Sequence, residues 1–241
     1  MSAERGARKS RHGRGSTCDK AEFCAAKTFW PLRSACPEQS WYEDMVQVDP
    51  SPHKVIMSMG CNKGSDAIGM MIRWDASEET FSLKSWRLAL VRQGLSRRDG
   101  GACGEVNKLH PQRQSAFRNG LSPIVYCVEA MPSTYEMLKN AALSLNYAGV
   151  YGGHSPSAFK VIHAVASNFS GGEVEIPIGR AGVENLGIGL EGRRPHAKVP
   201  ATTVDTIVQK ESITQLDILL IDTEGHDPAV LNGARNTLRE K

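Results

Sequence analysis

Val55-Ile56-Met57-Ser58-Met59-Gly60-Cys61-Asn62-Lys63-Gly64-Ser65-Asp66 runs from a short apolar stretch, through a Gly-x-Asn-x-Gly turn, into residues with helical spacing. An apolar run closed by glycine is how a buried parallel strand reads. Gly60 and Gly64 let the backbone bend sharply and come close to a ligand. A helix starting near Ser65 presents free N–H groups in its first turn. Strand, tight turn and helix in that order make a nucleotide or nucleoside corner at the carboxyl end of a first strand.

The same alternation continues along the chain. Residues 65–73 predict a helix with Ile68, Met71 and Ile72 on one face. A long excursion, residues 74–122, follows; within it, 80–94 predicts a helix burying Leu83, Trp86, Leu90 and Val91. Arg97-Arg98-Asp99-Gly100-Gly101 reads as an exposed turn. Residues 124–128 are a second strand ending at Glu129, and Ser133 with Glu136 forms a capping box for the next helix. That helix offers Met137, Leu138, Ala141, Ala142 and Leu145 to a core. Residues 161–166 are a third strand, and 173–178 alternate like a half-exposed one. Residues 179–200 read as loop, and 204–208 as a short helix. The run Ile218-Leu219-Leu220-Ile221 implies a strand buried on both faces. Asp227-Pro228 starts a last helix, with Val230, Leu231, Ala234 and Leu238 facing inward. The whole predicts an α/β fold with a doubly wound, mostly parallel, Rossmann-like sheet.

The 241 residues carry a net charge of +3, unevenly spread. Residues 1–16 hold five positive charges and one negative, and residues 84–118 hold eight positive and two negative, which leaves −7 for the rest. Three parts are expected: a disordered basic tail (1–16), a Cys/Trp-containing segment (17–53) and a domain (54–241) with its insertion at 74–122. Solvated loops explain the basic segments better than nucleic acid does, since only Trp86 and Phe117 offer aromatic interleaving in the second. No Cys-x-x-Cys pair occurs among the six cysteines, so spacing offers no metal site. Cys61 and Cys127 fall in or beside buried strands, while Cys18, Cys24 and Cys36 cluster ahead of the domain, either bridged or reduced. No run approaches a membrane span and no signal-peptide core opens the chain. A soluble protein is expected, cytoplasmic in preference to a secretory lumen; Asn168-Phe169-Ser170 is a glycosylation acceptor only on the secretory route.

Four signals stand in a fixed order: Gly60-x-Asn62-x-Gly64; Tyr126-Cys127-Val128-Glu129 with Pro132 and Tyr135; Val161-Ile162-His163-Ala164-Val165-Ala166-Ser167; and Leu219-Leu220-Ile221-Asp222-Thr223-Glu224-Gly225-His226-Asp227, followed by Val230-Leu231-x-Gly233-Ala234. Together with Thr202-Thr203-Val204-Asp205 they resemble the FkbM family of S-adenosylmethionine-dependent methyltransferases. The resemblance implies a methyl donor, S-adenosylmethionine, lying over Gly60, Asn62 and Gly64. It also implies that the donor's carboxylate meets backbone N–H groups near that turn. Glu129 would accept hydrogen bonds from both ribose hydroxyls, because two carboxylate oxygens match a vicinal diol. Ala166 and its neighbours would lie along the adenine. Asp222 and Glu224 would stand near the transferring methyl or the acceptor, with His226 as a base. Asp222 and Asp227 could equally be turn and helix-cap residues, or the Asp222–Asp227 cluster could hold a divalent cation.

Three departures from the family pattern stand out. Ser58 occupies the place of an Asp, Leu220 that of a Lys in many members, and the Glu-Pro spacing is stretched to Glu129-Ala130-Met131-Pro132. A complete fold of this type resembles a seven-stranded sheet, so the expectation is a domain truncated after Lys241. The function implied is O-methyl transfer to a hydroxyl of a sugar or small metabolite, the partner being a small-molecule or glycan acceptor. Two alternatives remain open here. One is a non-catalytic relative that binds an anionic partner through its basic segments. The other is a nicotinamide-dependent dehydrogenase, which the missing Gly-x-Gly-x-x-Gly and the distant Glu129 disfavour.

Overall fold

A computed structural model describes residues 53–74, 81–95, 122–148, 158–183 and 195–240. The expectations for the basic tail, for Cys18, Cys24 and Cys36, and for the turn at 97–101 lie outside those residues. Four strands form a parallel sheet in the order β3-β2-β1-β7. They are β1 (His53–Met59), β2 (Ser122–Glu129), β3 (Ala158–His163) and β7 (Ile218–Ile221). The first apolar run is the middle of this sheet, with Met57 opposite Tyr126 on one side and Leu219 on the other. A second sheet, β4-β6-β5, follows on from the end of β3. It contains β4 (Val165–Ala166), β5 (Glu173–Pro177) and β6 (His196–Thr202), with β4 parallel and β5 antiparallel to β6.

Alternation along β1 and β2 divides the core into two faces, as the two-residue strand period requires. Ile56, Val125 and Cys127 join the apolar sides of α1 (Ser65–Trp74), α2 (Leu83–Arg92) and α3 (Pro132–Ser144). Met57, Met59, Tyr126 and Val128 join α4 (Val204–Lys210) and α5 (Asp227–Asn232) on the other. Helices on both faces of a parallel sheet are the doubly wound arrangement that the alternation of elements predicts. The excursion contributes α2, whose Trp86 is fully buried. The indole N–H of Trp86 donates to the Lys63 carbonyl at 2.8 Å, so the insertion props up the turn after β1. At the opposite end of the sheet, buried Lys54 lies 3.7 Å from Asp217, whose other oxygen accepts the Val55 N–H at 2.7 Å.

Five local expectations are corrected. The third strand starts at Ala158, and the chain leaves the main sheet at Ala164, whose N–H donates to the Glu129 carbonyl. Residues 196–202 are a strand, β6, where a loop is expected; only Val199, Ala201 and Thr202 of it are buried, too few for an apolar run. Ser133 does not cap α3, because the helix begins one residue earlier with Pro132, and the Ser133 hydroxyl donates to Gly179 O at 3.0 Å instead. The strand at 218–221 is buried only at Ile218, since β7 is the edge of the described sheet. The last helix is two, α5 and α6 (Thr237–Glu240). The Asp205 carboxylate accepts the N–H groups of Asn236 and Thr237 at 3.1 and 2.8 Å and starts α6 afresh. Val230 and Ala234 are buried, while Leu231 and Leu238 are exposed.

Cys61 and Cys127 are joined by a disulfide across 66 residues, with Cα atoms 5.4 Å apart. Closing a loop of that length stabilises the fold by about 4 kcal/mol in the chain-entropy account. Unreduced protein should therefore leave both residues unmodified by an alkylating agent, as read by peptide mass spectrometry. A reductant should lower the melting temperature by several degrees. Alkylation of both cysteines without reduction would refute the bond.

Candidate functional site

The chain runs outward from β1 to β3 and then returns to the other side of β1 as β7, so the strand order reverses between β1 and β7. Crevices at such reversals, at the carboxyl ends of the strands, are where open α/β sheets bind ligands. Two turns meet there. In the first, Gly60, Asn62 and Gly64 all have positive φ; in the second, Glu224 and Gly225 do. A non-glycine residue held in that region is uncommon and costs of order 1–3 kcal/mol. Asn62 at φ 46° and Glu224 at φ 52° each mark a turn shaped by its surroundings.

Gly60 is the point of contact between the two turns. A Cβ built on it would overlap the carbonyl oxygen of Asp222. The Asp222 N–H in turn donates to Met59 O at 2.9 Å. The turn after β1 is then pulled toward β2. The N–H groups of Gly60 and Cys61 both donate to Val128 O, at 3.0 and 3.1 Å. The Asn62 N–H donates to Glu129 Oε2 at 2.8 Å. These three N–H groups therefore serve the sheet. Gly64 faces the core, where a Cβ would press on Trp86, Leu138 and Phe159 at 3.1–3.4 Å.

Glu129 closes β2 and is 8% exposed. Its second oxygen, Oε1, accepts the Met131 N–H at 2.8 Å. Burial raises the carboxyl above the usual carboxylate range, against backbone hydrogen bonds from Met131, Asn62 and Ala130 that lower it. Two carboxylate oxygens offer about four acceptor sites, so capacity remains beyond these backbone partners. Beside it, Asn62 Oδ1 is buried and has no hydrogen-bond partner among the described residues. A buried polar atom without a partner calls for an explanation, and a missing ligand is one.

The segment after β5 crosses the start of α3. Gly179 N–H donates to Met131 Sδ at 3.2 Å and Gly182 N–H donates to Thr134 Oγ1 at 3.1 Å. Ala166, expected along an adenine, is 6% exposed and belongs to the same buried cluster as Val128 and Ile207. Asp222 and Glu224 are exposed beside the crevice. His226 is half-buried, with Nε2 3.2 Å from the Ser167 hydroxyl. Asp227 turns back, accepting the Thr223 hydroxyl and N–H at 2.6 and 2.8 Å. Those two bonds hold its carboxyl below the usual range, with a small contribution from His226. Asp227 is thus the turn residue that one reading allows. Among the described residues no group of three or more His, Cys, Asp or Glu is disposed to hold a metal. Among the same residues no helix is long and apolar enough to cross a membrane.

A family model described as the methyltransferase FkbM domain matches residues 101–241, more than half of the chain. The chain belongs to the FkbM methyltransferase family. Glu129, Ala166, Asp222, Glu224 and His226 lie within the matched FkbM region, and β1 with its turn precedes it. At family level this is a methyltransferase, and the parallel sheet with helices on both faces is the Rossmann-like architecture expected of one. Comparison with curated proteins and with solved structures gave no match. Packing and hydrogen bonding explain two further residues of the FkbM region. Asp205 anchors α6, and Gly233 lets the end of α5 close on the Ser167 carbonyl, which a Cβ would overlap. The Ser167–His226 pair spans 59 residues and has no local signal in the sequence.

Gly60→Ala and Gly225→Ala both place a side chain at positive φ, but only the first meets backbone. Gly60→Ala should cost about 3 kcal/mol or more and Gly225→Ala about 1–2 kcal/mol, measured by denaturant unfolding. Equal losses would show that the Gly60–Asp222 approach does not constrain the fold. Asp227→Asn should destabilise the protein at pH 7. A depressed carboxyl contributes stability that is present above its unfolded pKa of about 3.9 and is lost as pH falls through the folded value. The difference between the two proteins should therefore shrink in melts taken below about pH 3.5. A gap that stays constant with pH would remove the carboxylate from the explanation.

Proposed function

We propose that this FkbM domain transfers a methyl group from S-adenosylmethionine to a hydroxyl oxygen of a sugar or other small molecule. The observation that carries the reading is the Asn62–Glu129 pair: an acceptor oxygen without a donor beside a carboxylate, joined by a 2.8 Å hydrogen bond at the carboxyl ends of β1 and β2. The residues present suit the donor. Asn62 Oδ1 offers an acceptor to the ammonium of its methionine end, and Glu129 offers the remaining acceptor capacity of two oxygens to the ribose diol. Its carboxylate is left to the first N–H groups of α1, since those of Gly60, Cys61, Asn62 and Gly64 are in use. Bound there, S-adenosylmethionine supplies an electrophilic methyl carbon with a thioether as leaving group.

The chain's own part is placement and proton handling. Methyl transfer needs the acceptor oxygen in line with the methyl carbon, so holding the acceptor does much of the work. Asp222 and Glu224 are exposed carboxylates at the end of β7, able to accept hydrogen bonds from acceptor hydroxyls. His226 is the group suited to take the proton. A divalent cation has no part in this reading.

Calorimetry tests it. Wild type should bind S-adenosylmethionine and S-adenosylhomocysteine and not NAD. Glu129→Gln and Asn62→Ala should each weaken binding by about tenfold or more, as expected for lost hydrogen bonds to charged groups. Circular dichroism should show both variants folded. Absence of heat with either sulfur ligand would sink the proposal.

A further inference from the structure

We infer that Ser167 is a positioning residue that holds His226 as its Nε2–H tautomer, so that Nδ1 is the nitrogen presented to an acceptor hydroxyl; the catalytic half of this rests on the methyl-transfer reading above. Ser167 is 1% exposed and is gripped on both sides. Its N–H donates to Thr202 O at 2.8 Å, and the end of α5 closes on its carbonyl at Gly233. The hydroxyl therefore comes from a fixed point. Its oxygen lies 3.3 Å from Asn168 Oδ1 and 3.2 Å from His226 Nε2.

One hydroxyl has one proton to give and can accept others. The amide oxygen of Asn168 only accepts, so both contacts are hydrogen bonds only with the Ser167 proton directed there. His226 Nε2 must then bring its own hydrogen and donate it to Ser167 Oγ. In a neutral imidazole that leaves the lone pair on Nδ1. No hydrogen bond to Nδ1 occurs among the described residues. The main chain of His226 is held as well. Its N–H donates to Thr223 O at 3.2 Å, and its carbonyl accepts from Ala229 and Val230 at 3.0 and 3.2 Å. A base oriented by a third group is the recurring arrangement for activating a hydroxyl.

The proton balance follows. As the acceptor oxygen bonds to the methyl carbon, its proton passes to Nδ1, and the electron pair of the broken carbon–sulfur bond stays on sulfur. The ring becomes an imidazolium that still donates from Nε2 to Ser167.

Long-range proton–nitrogen correlation spectra of the full chain, labelled with 15N-histidine and free of ligand, test the assignment. His226→Gln identifies the signal. Wild type and Ser167→Thr should show the Nε2–H form, with a ring proton protected from exchange with water. Ser167→Ala should lose that protection. An Nδ1–H ring in wild type, or a Ser167→Ala spectrum with protection intact, would overturn the inference. Should Ser167→Ala not fold, wild type and Ser167→Thr decide it alone. Calorimetry with S-adenosylmethionine on the same wild-type sample keeps the two readings apart. No heat with Nε2–H retained sinks the donor site and leaves the Ser167–His226 assignment standing. Heat with Nδ1–H does the reverse.

Discussion

No side chain fits at residue 60, and most of the site follows from that. The carbonyl of Asp222 occupies the space where a Cβ would be, so β1 and β7 end in contact. With β7 on one flank, the chain after Met59 has only β2 to lean on. It does so through three successive N–H groups, from Gly60, Cys61 and Asn62, and through the Cys61–Cys127 bridge. A turn bound so tightly along its own backbone has little left to offer a ligand except side chains. Asn62 and Glu129 are those side chains, brought together because one of them is the hydrogen-bond partner of the other's N–H.

Several residues of the family pattern hold the fold together. Gly233, Asp205 and Asp227 fasten secondary elements to one another, by close approach or by accepting backbone N–H groups. Glu129 does the same: its buried carboxylate joins the turn after β1 to the loop before α3 and still has acceptor capacity. Burial of that carboxylate in ligand-free protein is costly, as its raised pKa shows. A diol that donates to the ionised form would relieve part of the cost, so binding and ionisation favour each other.

Long apolar runs were legible in the sequence, because β1 and β2 bury side chains on a scale that composition alone displays. Trp86, Leu90, Met137 and Leu138 were legible for the same reason, at helical spacing. What stayed hidden depends on contacts between distant segments. β6 buries only a few residues and owes its form to pairing with β4 and β5. The Ser133 motif has the letters of a capping box, yet its hydroxyl is claimed by Gly179, 46 residues away. The Cys61–Cys127 bridge requires knowing that the turn after β1 folds back on β2. At the site, Gly60, Asn62 and Glu129 converge as their motifs imply, while Ala166 is part of the core.

Lys54 and Asp217 sit at the far end of the sheet from all of this, yet they act on it as a ruler. They fix which residue of β7 stands beside which residue of β1: Ile56 opposite Ile218 and Met59 opposite Ile221. A slip of one residue would separate a buried ion pair, at about 3–5 kcal/mol, and turn every β7 side chain to the opposite face. It would also carry the Asp222 carbonyl away from Gly60. The identity of the groups that edge the crevice is therefore set some distance below it, by a charge pair that no ligand touches.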